Sequence, residues 1–240
     1  MIMERFKTLF LLGRPAAGKS EVIDFLKKTP LEERRTKYHI GEFKEFDDFP
    51  YIWERFEDDM LLEKVGLPRV WTTPDLYFKD ERLWDFFLEK LNLAYSKTLR
   101  DEPAFHEKKT AVVEFSRGGE KGWRHAFHDV VSPELLEGSA ILYIHVTYEE
   151  SVRKNRRRFN PERPDSILEH GLPDEKMERL YKVSDWEEFT APHPEVLEIQ
   201  GIPVPYVVLN NMPEVTDDPR KLGPALEKSL ARLLEIRSRV

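Results

Sequence analysis

Residues 7–20 read KTLFLLGRPAAGKS, and this stretch decides the fold. Lys7–Leu12 is a short, mostly apolar run that ends at a glycine, which predicts a buried strand. Gly18–Lys28 follows with apolar residues at helical spacing and stops before Pro30, which predicts a helix. The turn between them matches the pattern G-x-x-x-x-G-K-[ST] without a gap. Its eight members are Gly13, Arg14, Pro15, Ala16, Ala17, Gly18, Lys19 and Ser20.

This pattern describes a loop that wraps around a phosphate group. Glycines let the backbone N–H groups come close to the anion, and the helix that follows points its positive N-terminal end at it. Lys19 would reach the β- and γ-phosphates of a nucleotide, and the hydroxyl of Ser20 would bind Mg²⁺. The alternative is a coincidental match in an ordinary strand–turn–helix, but the strand and helix that flank the motif favour the functional interpretation.

Beyond the motif, the chain alternates strands with helices. The remaining predicted strands are Tyr38–Ile40, Thr110–Phe115, Ala140–Val146 and Tyr206–Leu209, and the last predicted helix is Pro219–Arg239. This alternation predicts an α/β fold, with one three-layer domain over residues 1–240 and a parallel sheet at its centre.

Two segments do not belong to the predicted sheet. Residues 43–98 are acidic, helical in pattern and rich in aromatic residues, whereas residues 153–189 are charged and interrupted by prolines. Both leave from the carboxyl ends of predicted strands, the edge at which open α/β sheets bind ligands. We interpret them as an inserted helical substrate lobe and a lid. The aromatic residues of the lobe could stack a base or form its core, which is the commoner role.

The layout resembles the P-loop kinases of small molecules, such as nucleoside monophosphate kinases and deoxynucleoside kinases. The resemblance rests on the motif at residues 13–20, on the lobe between the second and third strands, and on the arginine-rich segment after the fourth. It implies a P-loop NTPase fold with a five-stranded parallel sheet in the order 2-3-1-4-5, ATP and Mg²⁺ as cosubstrates, and a small-molecule phosphate acceptor. The residues after Glu114 follow neither the Asp-Gly-x-Pro-Arg run of adenylate kinases nor the Glu-Arg-Ser run of deoxynucleoside kinases, so no subfamily is named.

Carboxylates at strand ends are candidates for the chemistry. Glu114 ends the third predicted strand, where the resemblance implies an acid that orients Mg²⁺ or helps the acceptor. It also implies an arginine nearby, and Arg117 would clamp an anion; a structural pair between Glu114 and Arg117 is the alternative. Glu42 ends the second predicted strand and is our candidate for a general base, ahead of Asp47 and Asp48. A solvated acidic loop would explain these three residues equally well.

Arginines dominate the start of the predicted lid. Arg153, Arg156 and Arg157 are spaced to share one helical face, and Arg158 and Arg163 follow. Planar guanidinium groups suit a phosphoryl group in transfer, and a lid brings them in only when substrate is bound. A solvated helix end and an RNA-binding face are the alternatives.

The composition limits the class of protein. The 240 residues carry 45 acidic and 38 basic side chains, a net charge of -7, which argues against a protein that coats nucleic acid. The absence of cysteine excludes disulfides and thiolate metal sites and fits a cytoplasmic protein. No apolar run is long enough to cross a membrane. A monomer and a homodimer are both open.

These features predict an ATP-dependent phosphotransferase whose favoured acceptor is a nucleoside or nucleotide. A kinase of another hydroxyl compound, such as a sugar, an antibiotic or an RNA end, is one alternative. A nucleotide-binding regulatory protein is the other. The long lobe argues against the regulatory protein, because a simple switch needs no acceptor pocket.

The composition also predicts a heat-adapted protein. Cysteine is absent, asparagine occurs five times, glutamine once, and 35% of the residues are charged, as reported for proteins of thermophiles. We expect a thermal unfolding midpoint above about 60 °C, near the upper end of the mesophile range. Calorimetry measures this midpoint, and a value below that temperature would contradict the hypothesis.

Overall fold

The computed structural model describes residues 5–159, 162 and 171–240, which fold into a mixed α/β structure around one six-stranded sheet. The strands are β1 (Thr8–Gly13), β2 (Glu42–Asp47), β3 (Lys109–Phe115), β4 (Ser139–His145), β5 (Val196–Ile199) and β6 (Ile202–Asn210). Their order across the sheet is β2-β3-β1-β4-β6-β5. The first five strands in that order are parallel, and β5 pairs antiparallel with β6 at the edge.

The expectation of five strands in the order 2-3-1-4-5 is corrected by β5. Gln200 and Gly201 have positive φ angles of 53° and 78° and form the two-residue turn between β5 and β6, as tight hairpins require. The last strand therefore begins at Ile202, upstream of its predicted start. Pro203 and Pro205 conceal this in the sequence, because proline cannot donate to a strand ladder and is rare inside strands.

The second strand is displaced from its predicted position. It was expected at Tyr38–Ile40, but β2 pairs with β3 over Glu42–Asp47, and Asp47 lies opposite Glu114. β2 is an edge strand with exposed charged side chains, which commonly protect sheet edges from pairing with other chains. Because of these charges, the segment lacks the apolar pattern by which a strand is predicted. Asp47 therefore lies at the carboxyl end of β2, whereas Glu42 begins it.

Helices cover both faces of the sheet. In the described residues they are α1 (Lys19–Lys28), α2 (Leu31–Lys37), α3 (Phe49–Lys64), α4 (Leu83–Asp101), α5 (Phe105–Lys108), α6 (Trp123–His125), α7 (Pro133–Leu136), α8 (Tyr148–Arg158), α9 (Asp174–Tyr181), α10 (Trp186–Thr190) and α11 (Pro219–Arg237). α1 and α11 pack on one face, and α4, α7 and α10 pack on the other. β1 and β4 are thus buried on both sides, which explains their continuous apolar sequences. None of the helices described is both long and apolar enough to cross a membrane.

The residues between β2 and β3 form a helical lobe with its own small core. α3 and α4 contribute Ile52 and Phe87 to this core, and Phe78 of the connecting segment completes it. Phe56 and Trp84 pack against the same cluster. For these aromatic residues, core packing is the role that the structure supports.

A buried carboxylate holds the connection from α3 to α4. Asp59 is fully buried and accepts hydrogen bonds from the backbone N of Val70 (2.6 Å), from the backbone N of Thr72 (2.6 Å) and from Oγ1 of Thr72 (2.7 Å). Burial alone would raise the pKa of Asp59, but these hydrogen bonds hold it below its ordinary value. The ionised group therefore fixes the path of the lobe before Trp84.

Replacing Asp59 by asparagine should destabilise the protein, because the amide NH₂ would face backbone N–H groups that need an acceptor. We expect Asp59→Asn to lower the free energy of unfolding by about 2–3 kcal/mol. Denaturant unfolding measures this value. Asp58→Asn is the control, since Asp58 makes a partly exposed ion pair with Arg55, and its effect should stay below about 1 kcal/mol. Equal effects of the two variants would contradict the anchoring role.

Candidate active site

The motif at residues 13–20 forms the turn between β1 and α1, as the sequence predicts. Gly13 and Gly18 have φ angles of 154° and 116°, and neither position has room for a side chain. A Cβ on Gly13 would lie 2.6 Å from the carbonyl oxygen of Ile144, and one on Gly18 would lie 2.7 Å from the side chain of Thr216. The loop is therefore fixed against the end of β4 and the segment that follows β6.

Contacts from α8 and α9 hold the loop from outside. Ser151 of α8 donates a hydrogen bond to the carbonyl oxygen of Pro15 at 2.6 Å. The guanidinium of Arg14 donates to the carbonyl oxygen of Tyr181, at the end of α9. The side chain of Arg14 is thus used in packing the loop against α9.

A third support comes from the segment after β6. Asn210 ends β6, and Asn211, which follows it, is fully buried. Its Nδ2 donates to the carbonyl oxygen of Ala17 and to Oγ1 of Thr216, both at 2.8 Å. Asn211 therefore supports the loop from beneath.

Lys19 points its ammonium group at the loop and at the end of β3. The side chain is 6% exposed and lies 3.9 Å from Oε1 of Glu114. Its Nζ donates to the carbonyl oxygens of Gly13 (3.4 Å) and Arg14 (3.1 Å) and to Oγ of Ser116 (2.9 Å). Burial lowers the pKa of Lys19, and the carboxylate of Glu114 opposes this effect.

Three carboxyl groups gather beside Lys19 at the carboxyl ends of β2 and β3. Burial, reinforced by the neighbouring carboxylates of Glu114 and Asp48, raises the pKa of Asp47 to about 8. Burial also raises the pKa of Glu114, although Lys19 opposes it. Asp47 and Glu114 are register partners on adjacent strands, so each carboxylate disfavours ionisation of the other.

Glu42 is not part of this group. It lies at the amino end of β2, exposed, and opposite Lys109 in the strand register. The expectation that Glu42 ends the second strand is therefore wrong, because the strand starts where it was expected to stop. The carboxylate at the correct end of β2 is Asp47.

Arg117 is buried and pairs with Asp48, not with Glu114. Its Nη2 lies 2.7 Å from Oδ2 of Asp48 and donates to the carbonyl oxygen of Trp84 at 3.1 Å. Its Nη1 donates to the carbonyl oxygen of Ser116 at 2.7 Å. These bonds tie together the ends of β2 and β3 and the start of α4, so the geometry gives Arg117 a bracing position. Its role as an anion clamp stays a prediction.

α8 turns a different face to the site from the one expected. Residues of this helix that line the cavity include Lys154, Arg157 and Arg158. They repeat the spacing i, i+3, i+4 that was assigned to Arg153, Arg156 and Arg157. Of the expected three residues, only Arg157 lines the cavity. Spacing alone cannot tell the two faces apart, and this is why Lys154 escaped the sequence analysis.

The other two arginines of α8 are paired on the outer surface. Nη2 of Arg153 lies 2.6 Å from Oε1 of Glu150, and Arg156 forms an ion pair with Asp174 of α9. Arg163 lies outside the described residues. The opening and closing of residues 153–189 as a lid stays a prediction.

The loop, the carboxyl groups and α8 enclose a cavity of about 630 Å³. Phe49 and Ile52 of the lobe line its remaining side, and Ser20 opens into it. A second cavity of about 450 Å³ borders the first. Residues that line both cavities are Trp84, Ser116, Arg117 and Tyr181. Volumes of this size are typical of small-molecule sites.

Comparison with known proteins finds distant similarity to solved structures. No family model and no curated protein matches the chain. Among solved structures, a sugar kinase from Janibacter sp. HTCC2649 is 14% identical, with a TM-score of 0.44 over 97% of this chain and 95% of that one. TT1252 from Thermus thermophilus is 16% identical, with a TM-score of 0.43 over 97% and 98%. Likeness this distant carries no argument about function.

The raised pKa of Asp47 predicts a pH dependence of stability. Its pKa in the folded protein is about 8, against an ordinary value of 3.8. The folded state therefore binds the proton more tightly, and its contribution to stability is complete below about pH 4 and lost as the pH rises through about 8. Asp47→Asn should remove this loss and raise the thermal midpoint relative to the wild type at about pH 9.

Calorimetry of the ligand-free protein from about pH 5 to about pH 9 measures the effect. Asp101→Asn, at an exposed position on α4, is the control and should follow the wild type throughout. Parallel curves for Asp47→Asn and the wild type would contradict the raised pKa of Asp47.

Proposed function

We propose that this protein is an ATP-dependent phosphotransferase that transfers a phosphoryl group to a hydroxyl group of a small molecule. One observation carries the proposal. The ammonium of Lys19 and the carboxyl pair of Asp47 and Glu114 face the same cavity, at the carboxyl ends of adjacent strands. A phosphate-binding lysine beside a carboxylate of raised pKa is the arrangement that phosphoryl transfer to a hydroxyl needs.

The loop would bind the phosphates of ATP. Pro15, Ala16 and Gly18 of the loop line the cavity, and α1 starts at Lys19 with its positive end at the same cavity. The ammonium of Lys19 would exchange the carbonyl oxygens of Gly13 and Arg14 for phosphate oxygens. This exchange is favourable because a charged acceptor replaces neutral ones.

The oxygen groups beside the loop fit Mg²⁺. The hydroxyl of Ser20 and the carboxylates of Asp47 and Glu114 line one cavity and are the hard oxygen ligands that this ion prefers. Ser20 and Glu114 would hold the ion, which neutralises charge on the phosphates when bound, and Asp47 would act on the acceptor.

The carboxyl pair favours a hydroxyl acceptor over a phosphate acceptor. As the acceptor oxygen bonds to the γ-phosphorus, the bond from that phosphorus to the β–γ bridging oxygen breaks and ADP leaves. The hydroxyl proton must go to a base, and Asp47, with a pKa of about 8, would accept it in its ionised form, whose share grows as the pH rises toward that value. An acceptor phosphate needs no such base. Nucleosides, sugars, antibiotics and RNA ends remain within this class.

A nucleotide-binding regulatory protein is the rival. The second cavity beside the first favours the enzyme, because a switch that binds only a nucleotide needs no further space next to the phosphates. Release of ADP that no acceptor stimulates would favour the regulatory protein.

The test is a panel of hydroxyl compounds scored by acceptor-stimulated ADP release. With the acceptor that the wild type uses, Lys19→Ala should lower turnover by at least about 100-fold, since the lysine stabilises charge in the transition state. Its thermal midpoint should stay close to that of the wild type. The matched control is Lys28→Ala, which removes an exposed lysine of α1 that is paired with Asp24.

Asp47→Asn completes this experiment. It should lower turnover while leaving the affinity for ATP nearly unchanged, because the base acts on the acceptor and not on the loop. Wild-type turnover of Lys19→Ala would end the proposal. Wild-type turnover of Asp47→Asn would show that Asp47 is not the base, and the proposed phosphotransferase activity would still stand.

A further inference from the structure

Lys154 is a buried lysine on the wall of the main cavity. Its side chain is 3% exposed, and it lies on α8, one helical turn before Arg157 and Arg158. A buried ammonium loses its hydration, so it needs a counter-charge or a ligand to be stable.

One carboxylate supplies that counter-charge, and Lys154 shares it. Oε1 of Glu214 lies 2.8 Å from Nζ of Lys154 and 2.9 Å from Nη2 of Arg157. Burial opposes ionisation of Glu214, but the hydrogen bonds from these two cations hold its pKa below the ordinary value. Nη2 of Arg153 lies 3.5 Å from Oε2 of Glu214 and also pairs with Glu150. Among the described residues, three cations of α8 therefore contact two carboxylates. The wall keeps an excess of positive charge, which an anion in the cavity would balance.

The position of this wall is fixed relative to the phosphate-binding loop. Nζ of Lys154 also donates to Oγ1 of Thr216 at 3.4 Å, and Thr216 packs against the backbone of Gly18. Asn211 bonds to both Thr216 and Ala17. The segment after β6 thus connects the ammonium of Lys154 to the loop through a short chain of side chains. Glu214 belongs to the same segment.

We propose that Lys154 binds the phosphate groups of the nucleotide, as a second lysine beside Lys19, and that Glu214 positions it. The inference rests on the proposed function, since it concerns the same cavity. Among anions, polyphosphates suit the site best, because the loop and α8 present positive groups from two sides.

The first experiment measures binding of Mg²⁺–ATP and of inorganic tripolyphosphate by titration calorimetry. Lys154→Met keeps the length of the side chain and removes its charge, and it should weaken both ligands by about tenfold or more. Lys154→Arg should recover most of the affinity. Lys28→Met, the exposed control, should bind both within about twofold of the wild type. Wild-type affinity of Lys154→Met would overturn the inference.

The second experiment separates positioning from a structural role. Glu214→Gln should weaken tripolyphosphate and also lower the thermal midpoint, because the buried ammonium of Lys154 loses its counter-charge. Glu33→Gln, which removes the partly exposed partner of Lys37 on α2, should do neither. In a double-mutant cycle, Glu214→Gln should add little to Lys154→Met, because the carboxylate acts through the lysine. Fully additive losses would overturn the positioning role.

The wild type and Lys19→Ala distinguish failure of this inference from failure of the proposed function. If the wild type binds neither probe, both fail. If the wild type binds and Lys19→Ala does not, the nucleotide site stands, and the result for Lys154→Met decides the inference alone.

Discussion

The absence of a side chain at Gly13 is the constraint on which the site depends. The end of β1 runs so close to β4 that a Cβ would meet the carbonyl oxygen of Ile144 at 2.6 Å. The chain can therefore turn from the end of β1 into α1 next to β4, and α1 starts close to the end of β3. This path brings Lys19 to 3.9 Å from Glu114. A larger residue would push the loop away from the strands that carry the acids.

Charge is divided between the walls of the cavity. Carboxyl groups lie at the ends of β2 and β3, and ammonium and guanidinium groups lie on α1 and α8. The repulsion within each wall is partly offset. Burial and the neighbouring carboxylates raise the pKa of Asp47 on one wall, and the carboxylate of Glu214 contacts Lys154 and Arg157 on the other. Neither effect removes the repulsion completely. The cavity therefore suits a ligand that brings anionic groups to the wall of α1 and α8 and a cation to the wall of β2 and β3.

The sequence predicted those parts of the fold whose signal is local. β1, β3 and β4 are buried on both faces or nearly so, and each appears as an apolar run. β2 was predicted too early in the sequence and β5 was missed, because edge strands carry charge or stand beside prolines. The residues of the loop could be predicted because the motif is defined by their spacing along the chain. The ion pair of Arg117 with Asp48 and the inward face of α8 depend on packing between distant segments. The spacing of residues along the sequence holds no information about such packing.

The hydrogen bonds to the carbonyl oxygens of Pro15 and Ala17 have a consequence for the direction of the loop's dipoles. A trans peptide unit places its C=O and N–H on opposite sides. Ser151 and Asn211 donate to these two oxygens, so the N–H groups of Ala16 and Gly18 point away from Ser151 and Asn211. The entropy of ordering these peptide planes is thus lost during folding, before any ligand arrives. If the loop binds phosphate as proposed, the affinity is not reduced by the cost of ordering these peptide units.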